Sequence, residues 1–101
     1  VIRVGWHPLA RLELFEASGF YEGEAEGLGE IFLGAVEQGL ERLRLHPRAG
    51  RKVLGQIRRY VVVRFPYSVL YRVEEDLQSD CLFILAVAHH KRRPHYWAKR
   101  I

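Results

Sequence analysis

Residues 81–89, Cys-Leu-Phe-Ile-Leu-Ala-Val-Ala-His, run nine positions with no strongly polar side chain before the last. The stretch is too short for a membrane helix, which needs about 20 apolar residues. It also lacks the alternation of a strand with one wet face. It reads as a central strand buried on both faces, and the rest of the chain has to bury it.

Two strands precede it. Ile57–Arg64 and Tyr67–Glu74 are separated by Phe65-Pro66, read as a hairpin connection and a turn only, and Glu75–Asp80 is a polar turn. Alternation along the first of them places Arg58, Tyr60, Val62 and Arg64 on one face and Ile57, Arg59, Val61 and Val63 on the other. Tyr60, Tyr67 and Tyr71 read as cross-strand packing. The segment from His46 to Gly55 contains Pro47, Gly50 and Gly55 and reads as loop.

The first half has a different period. Ile2–His7 reads as a short strand, and Pro8 suits the first turn of a helix, where its missing N–H costs nothing. From Leu9 to about Glu26, Leu9, Leu12, Phe15 and Phe20/Tyr21 follow helical spacing, with glutamates on the other face and a bend expected at Gly19. Gly27-Leu28-Gly29 breaks the chain. A second helix follows, with Leu28, Ile31/Phe32, Ala35/Val36, Gly39/Leu40 and Leu43 in register, and ends before Pro47. The expected fold is α+β, in the order β-α-α-β-β-β. It comprises an N-terminal strand, an antiparallel helical hairpin and a three-stranded antiparallel meander, with the helices on one face of the sheet. Residues 1–101 are expected to form one domain.

Charge divides along the same line. Residues 1–41 carry two arginines against eight glutamates, a net −6; residues 42–101 carry fourteen Lys/Arg against four acids, a net +10. A half-surface of one sign favours an anionic partner, nucleic acid or an acidic protein segment. Cys81 is the single cysteine, which excludes an intrachain disulfide, and its apolar setting reads as core. With no apolar run long enough for a span and no signal-peptide pattern, the expected location is the cytoplasm.

Several blocks together resemble a known family. Trp6-His7-Pro8 before an acidic helix, Gly27-Leu28-Gly29-Glu30 with Phe32-Leu33 opening the second helix, and His46-Pro47 closing it are similar to the RelE/ParE toxins of type II toxin–antitoxin systems. So are the run Arg64-Phe65-Pro66-Tyr67-Ser68-Val69-Leu70-Tyr71-Arg72 and the ending Ile84–His89 followed by His90-Lys91-Arg92-Arg93-Pro94-His95-Tyr96-Trp97. The resemblance implies a growth-inhibiting toxin of the plasmid-stabilisation kind. A cognate antitoxin would neutralise it by wrapping it with its C-terminal segment in a hetero-oligomer. The RelE-like branch cleaves mRNA in the ribosomal A site without a metal; the ParE-like branch inhibits DNA gyrase.

Metal-free RNA cleavage needs a base for the 2′-OH, an acid for the leaving oxygen and cations around the phosphate. Under that reading His90, Arg93 and Tyr96 are the candidate catalytic residues, with Arg64 as a further phosphate ligand. Ser68 and His90 stand where RelE-like ribonucleases usually carry arginines, which favours the ParE-like, non-enzymatic reading. The candidate target-binding residues under either reading are Arg58, Arg64, Arg72, Lys91, Arg92, Arg93 and Trp97. A degenerate member that only binds is the third reading. No metal or cofactor is expected: His89, His90 and His95 have no neighbouring carboxylate in the sequence. An apolar, acidic antitoxin segment is expected to occupy a basic groove on the sheet.

Overall fold

The chain runs β1 (Arg3–Trp6), α1 (Pro8–Glu24), α2 (Leu28–Leu45), β2 (Arg51–Leu54), β3 (Ile57–Val61), β4 (Tyr67–Glu74) and β5 (Cys81–His89), with a 3₁₀ turn at Ala98–Arg100. The structure is a computed structural model that describes residues 2–101. The strands form one five-stranded sheet in the order β1-β5-β4-β3-β2. The α+β layout and element order are those expected, but the sheet is mixed. β1 takes the side of β5 that the meander leaves free and pairs with it in parallel, Arg3 opposite Cys81 through Trp6 opposite Ile84. β2 adds a strand inside the segment expected to be loop. Four residues, two of them charged and flanked by glycines at 50 and 55, carry no alternation long enough to announce it.

His7 and Pro8 start α1 as their chemistry dictates. The His7 Nδ1 accepts the Leu9 N–H at 3.1 Å, and Pro8 sits where no intrahelical donor is needed. The helix continues through Gly19. Its inward face is not the one expected. Ala10, Leu14, Ala17 and Tyr21 pack into the core, while Leu9, Leu12, Phe15 and Phe20 are exposed. Two alanines on the buried face let α1 lie close against β5, so the bulk of its apolar surface points outward.

The hairpin between the helices is secured by side chains of α1. Glu22 accepts the Gly27 and Gly29 N–H groups, each at 3.0 Å, and the Ser18 hydroxyl donates to the Gly29 carbonyl at 3.2 Å. The carboxylate thereby meets donors at the start of α2 that have no helical partner. Gly27 makes the reversal at φ 84°, a conformation that side chains resist.

Apolar layers cover both faces of the sheet. On the front, Phe32, Val36, Leu40 and Leu43 of α2 and Ala10 and Ala17 of α1 meet Val62, Val69, Tyr71, Leu82, Ile84 and Val87. Phe65 does more than turn the chain: its ring meets Tyr21 at 5.0 Å and Phe32 at 5.1 Å between centroids. On the back, Ile57, Leu70, Leu85, Ala86 and Ala88 are covered by Trp97. The β4–β5 register steps from Leu70–Ala86 to Tyr71–Ile84, so Leu85 is an extra residue. This bulge turns both Leu85 and Ala86 to the back layer. Cys81, expected in the core, is half-buried at the first position of β5.

Candidate functional site

Past β5 the chain doubles back beneath the sheet. The His90 N–H bonds the Pro66 carbonyl at 2.9 Å, the Lys91 N–H bonds the His89 Nδ1 at 3.0 Å, and His95 turns the chain at φ 59°. Trp97 then lies against the back layer, 3% exposed. The basic sheet face is therefore roofed by the chain's own tail and is not an open groove.

One carboxylate from α1 holds the roof. Glu13 Oε1 accepts the Val87 N–H at 3.0 Å and Arg100 Nη1 at 2.8 Å; Oε2 accepts the Tyr96 hydroxyl at 2.7 Å and Arg100 Nη2 at 3.0 Å. Arg100 also donates to the Leu85 carbonyl at 3.1 Å. Because β1 ends beside Ile84, these side chains satisfy backbone groups on the stretch of β5 that β1 leaves uncovered. Burial, then the bond to Glu13 and its charge, push the Tyr96 phenol well above the ordinary tyrosine value, so it stays a donor. The same contacts with Glu13 raise Arg100. The Tyr96 ring lies under the guanidinium groups of Arg92, at 3.8 Å, and Arg100, at 5.1 Å.

Between roof and sheet lies an open pocket of about 200 Å³, bordered by Arg59, Ser68, His90, Arg92, Arg93 and His95 over an apolar floor of Val53, Leu70 and Ala88. Ser68, on β4, is 3% exposed. Its hydroxyl accepts from Arg59 Nε at 2.9 Å and lies 2.9 Å from His90 Nε2. The two positions that depart from the ribonuclease pattern, Ser68 and His90, are thus in direct contact. An arginine from the neighbouring strand stands beside them.

The candidate residues separate by location. His90, Arg92, Arg93, Tyr96 and Trp97 border the pocket. The Tyr96 hydroxyl is engaged by Glu13. Lys91 is exposed in the turn after β5. Arg58 faces the helices and donates to the Arg48 and Gly50 carbonyls at 3.0 and 2.7 Å. Arg64 is exposed in the β3–β4 turn, beside a separate depression with Ile31, Ala35 and Val63. Arg72 lies over the Phe83 ring at 4.6 Å and pairs with Glu74 at 2.8 Å. Neither Arg64 nor Arg72 takes the space beside Ser68; Arg59 does. Sequence reasoning did not select Arg59, although alternation already placed it on the face with Ile57 and opposite Arg58.

The second half's four acids are used elsewhere. Glu74 pairs with Arg72, Glu75 and Asp80 with Arg48, and Asp76 with Arg3. Among the described residues, Arg51, Arg59, Arg64, Lys91, Arg92 and Arg93 have no carboxylate partner. The pocket therefore sits where positive charge is uncompensated.

Over residues 4–94 the chain matches the model of the ParE toxin of the type II toxin–antitoxin system parDE. The chain belongs to the ParE toxin family. Among solved structures, this ParE-family chain is similar to one from a chromosomal ParDE toxin–antitoxin system of P. aeruginosa, with a TM-score of 0.61 and 21% identity. The likeness covers 87% of this chain and 95% of that one, and at that identity it speaks for the fold. No curated protein matches the chain. The toxin's family match stops at residue 94, ahead of Tyr96, Trp97 and Arg100, which anchor the roof. No helix among the described residues is long and apolar enough to cross a membrane.

Proposed function

We propose that this ParE toxin inhibits growth through DNA gyrase, in the cytoplasm, and is neutralised in a hetero-oligomer with its cognate antitoxin. The observation that carries the non-enzymatic reading is the bond from the Tyr96 hydroxyl to Glu13. It removes a candidate acid–base group from the pocket while Ser68 and His90 occupy each other. In this reading the uncompensated cations at the roofed end of the sheet, Arg59, Arg92 and Arg93, face gyrase or the DNA it holds. The antitoxin's apolar side chains cover Leu9, Leu12, Phe15 and Phe20, the outward apolar residues of α1.

Antitoxin-free toxin added to a gyrase supercoiling assay, and separately to a translating ribosome system read by primer extension, tests the target. Inhibited supercoiling with intact mRNA is the expected result. Cuts in the ribosomal A site with normal supercoiling overturn it in favour of the RelE-like reading. Activity in neither assay, from folded protein, favours a member that only binds.

A further inference from the structure

Arg59 is half-buried and has no carboxylate partner among the described residues. Such a guanidinium is costly to desolvate and normally finds a counter-ion or a full set of acceptors. Among the described residues, the one bond of its side chain is from Nε to the Ser68 hydroxyl, at 2.9 Å. That bond fixes the plane of the fork and leaves the two Nη atoms without a protein acceptor among the described residues, on a side chain that lines the pocket. The same hydroxyl, on a serine 3% exposed, holds His90 from the other side. One buried serine thus sets an arginine and a histidine side by side on a common wall. Arg92, Arg93 and His95 complete the rim, and among the described residues no acidic one borders the pocket.

We propose that this pocket binds a phosphate ester. The Arg59 Nη pair takes two phosphoryl oxygens in the fork-to-fork geometry that suits guanidinium and phosphate. Arg93 takes the remaining oxygens from the tail side. The floor of Val53, Leu70 and Ala88 offers the ester carbon an apolar surface. A volume of about 200 Å³, open on one side, suits one phosphate with part of its sugar and excludes a base pair. The chemistry is shared by a free nucleotide and by the backbone of a strand. It is independent of the choice between gyrase and ribosome, so its failure leaves the target assays untouched.

The full chain, free of antitoxin, is titrated with inorganic phosphate, with a 5′-mononucleotide and with a short single-stranded oligonucleotide. Binding is followed by NMR shifts of the His90 ring, the Ser68 amide and the Arg59 Nε–H. Saturable shifts of those three groups with phosphate alone are expected. Affinity should weaken at least about tenfold in Arg59→Gln and in Arg93→Gln. Arg64→Gln and Arg72→Gln, which lie outside the pocket, should titrate like the native chain. Arg93 is exposed, so its variant stays informative if Arg59→Gln fails to fold. Tighter binding of the mononucleotide than of the oligonucleotide identifies a free nucleotide as the ligand; the reverse order identifies a strand. Shifts that do not saturate, or weakening by Arg64→Gln equal to that by Arg93→Gln, mean diffuse attraction to a basic surface and overturn the proposal.

Discussion

Replacing Glu13 by alanine removes the acceptor for four hydrogen bonds, from the Val87 amide, the Tyr96 hydroxyl and both Nη atoms of Arg100. The side chains of Glu13 and Arg100 are each 12% exposed, so water screens little of their attraction. Removing one member of a buried pair costs about 3–5 kcal/mol, because the other charge is left unneutralised. The unfolding entropy for a chain of this length is about 0.2 kcal/mol/K. The lower figure then shifts Tm down by about 14 °C. Thermal unfolding followed by circular dichroism measures the total. Hydrogen exchange at residues 95–101 locates it, since the tail amides should lose protection before those of β4. Glu13→Gln, which keeps an acceptor but no charge, should fall between native and alanine. Glu13→Met with Arg100→Met should recover much of the loss, because no charge is then orphaned. A shift smaller than about 4 °C in Glu13→Ala, equivalent to less than about 1 kcal/mol, would refute the anchor, all the more with tail amides protected as in the native chain.

Tyr96 makes stability depend on alkaline pH. Its folded pKa is raised above the ordinary 10.0, so its contribution is complete below pH 10 and is lost as pH rises toward the folded value. Urea unfolding at pH 9, 10 and 11 should show a decline that is shallower in Tyr96→Phe; equal slopes would count against the buried bond to Glu13. A methyl group on Gly39 of α2 would collide with the Tyr60 ring, so Gly39→Ala should cost about 1–3 kcal/mol, with Gly39→Ala/Tyr60→Leu regaining part of it in the same assay. The fully buried Tyr71 hydroxyl donates to the Pro47 carbonyl at 2.8 Å and accepts the Gly50 N–H at 3.0 Å; Tyr71→Phe should lose about 1–3 kcal/mol in chemical denaturation and speed exchange at Gly50. Phe15→Glu should abolish neutralisation by the antitoxin without lowering Tm, because Phe15 is 53% exposed. That interface should also be nearly insensitive to salt. Strong salt dependence with an unaffected Phe15→Glu complex would return the antitoxin to the basic face.

Strands and helices were readable wherever a period was long enough to declare itself. The alternation of Arg58, Tyr60 and Val62 against Ile57 and Arg59 holds, with the first set facing the helices and the second the tail, but β3 ends at Val61, and Arg64, at φ 70°, falls in the turn that follows. β5 is covered on both faces as its composition requires, and the second cover proves to be Trp97 from the tail. Periodicity failed on α1 because its core face is built of Ala10 and Ala17, which carry little apolar weight against Leu12 and Phe15 outside. Glu13 looked like one more solvated acid on that helix. Its role depends on Val87, Tyr96 and Arg100, far along the chain, and no local pattern encodes that meeting. The pocket was half visible. Its tail residues stood out as a basic aromatic run, but the link from Arg59 through Ser68 to His90 joins β3, β4 and the turn after β5, and it needs the registers of those strands to appear.

The parallel pairing of β1 with β5 bears on how the toxin comes off the ribosome. Arg3–Trp6 is made well before its partner Cys81–Ile84, with two helices and three strands between them. α1 also rests on β5. A nascent chain can close the β3–β4 hairpin early, since such contacts are local. β1 and α1 have no seat until β5 has been synthesised. The pocket is later still, because its roof is the stretch that follows β5. Topology therefore delays assembly of the pocket until residues 90–97 have been made, and a product terminated before them cannot carry it.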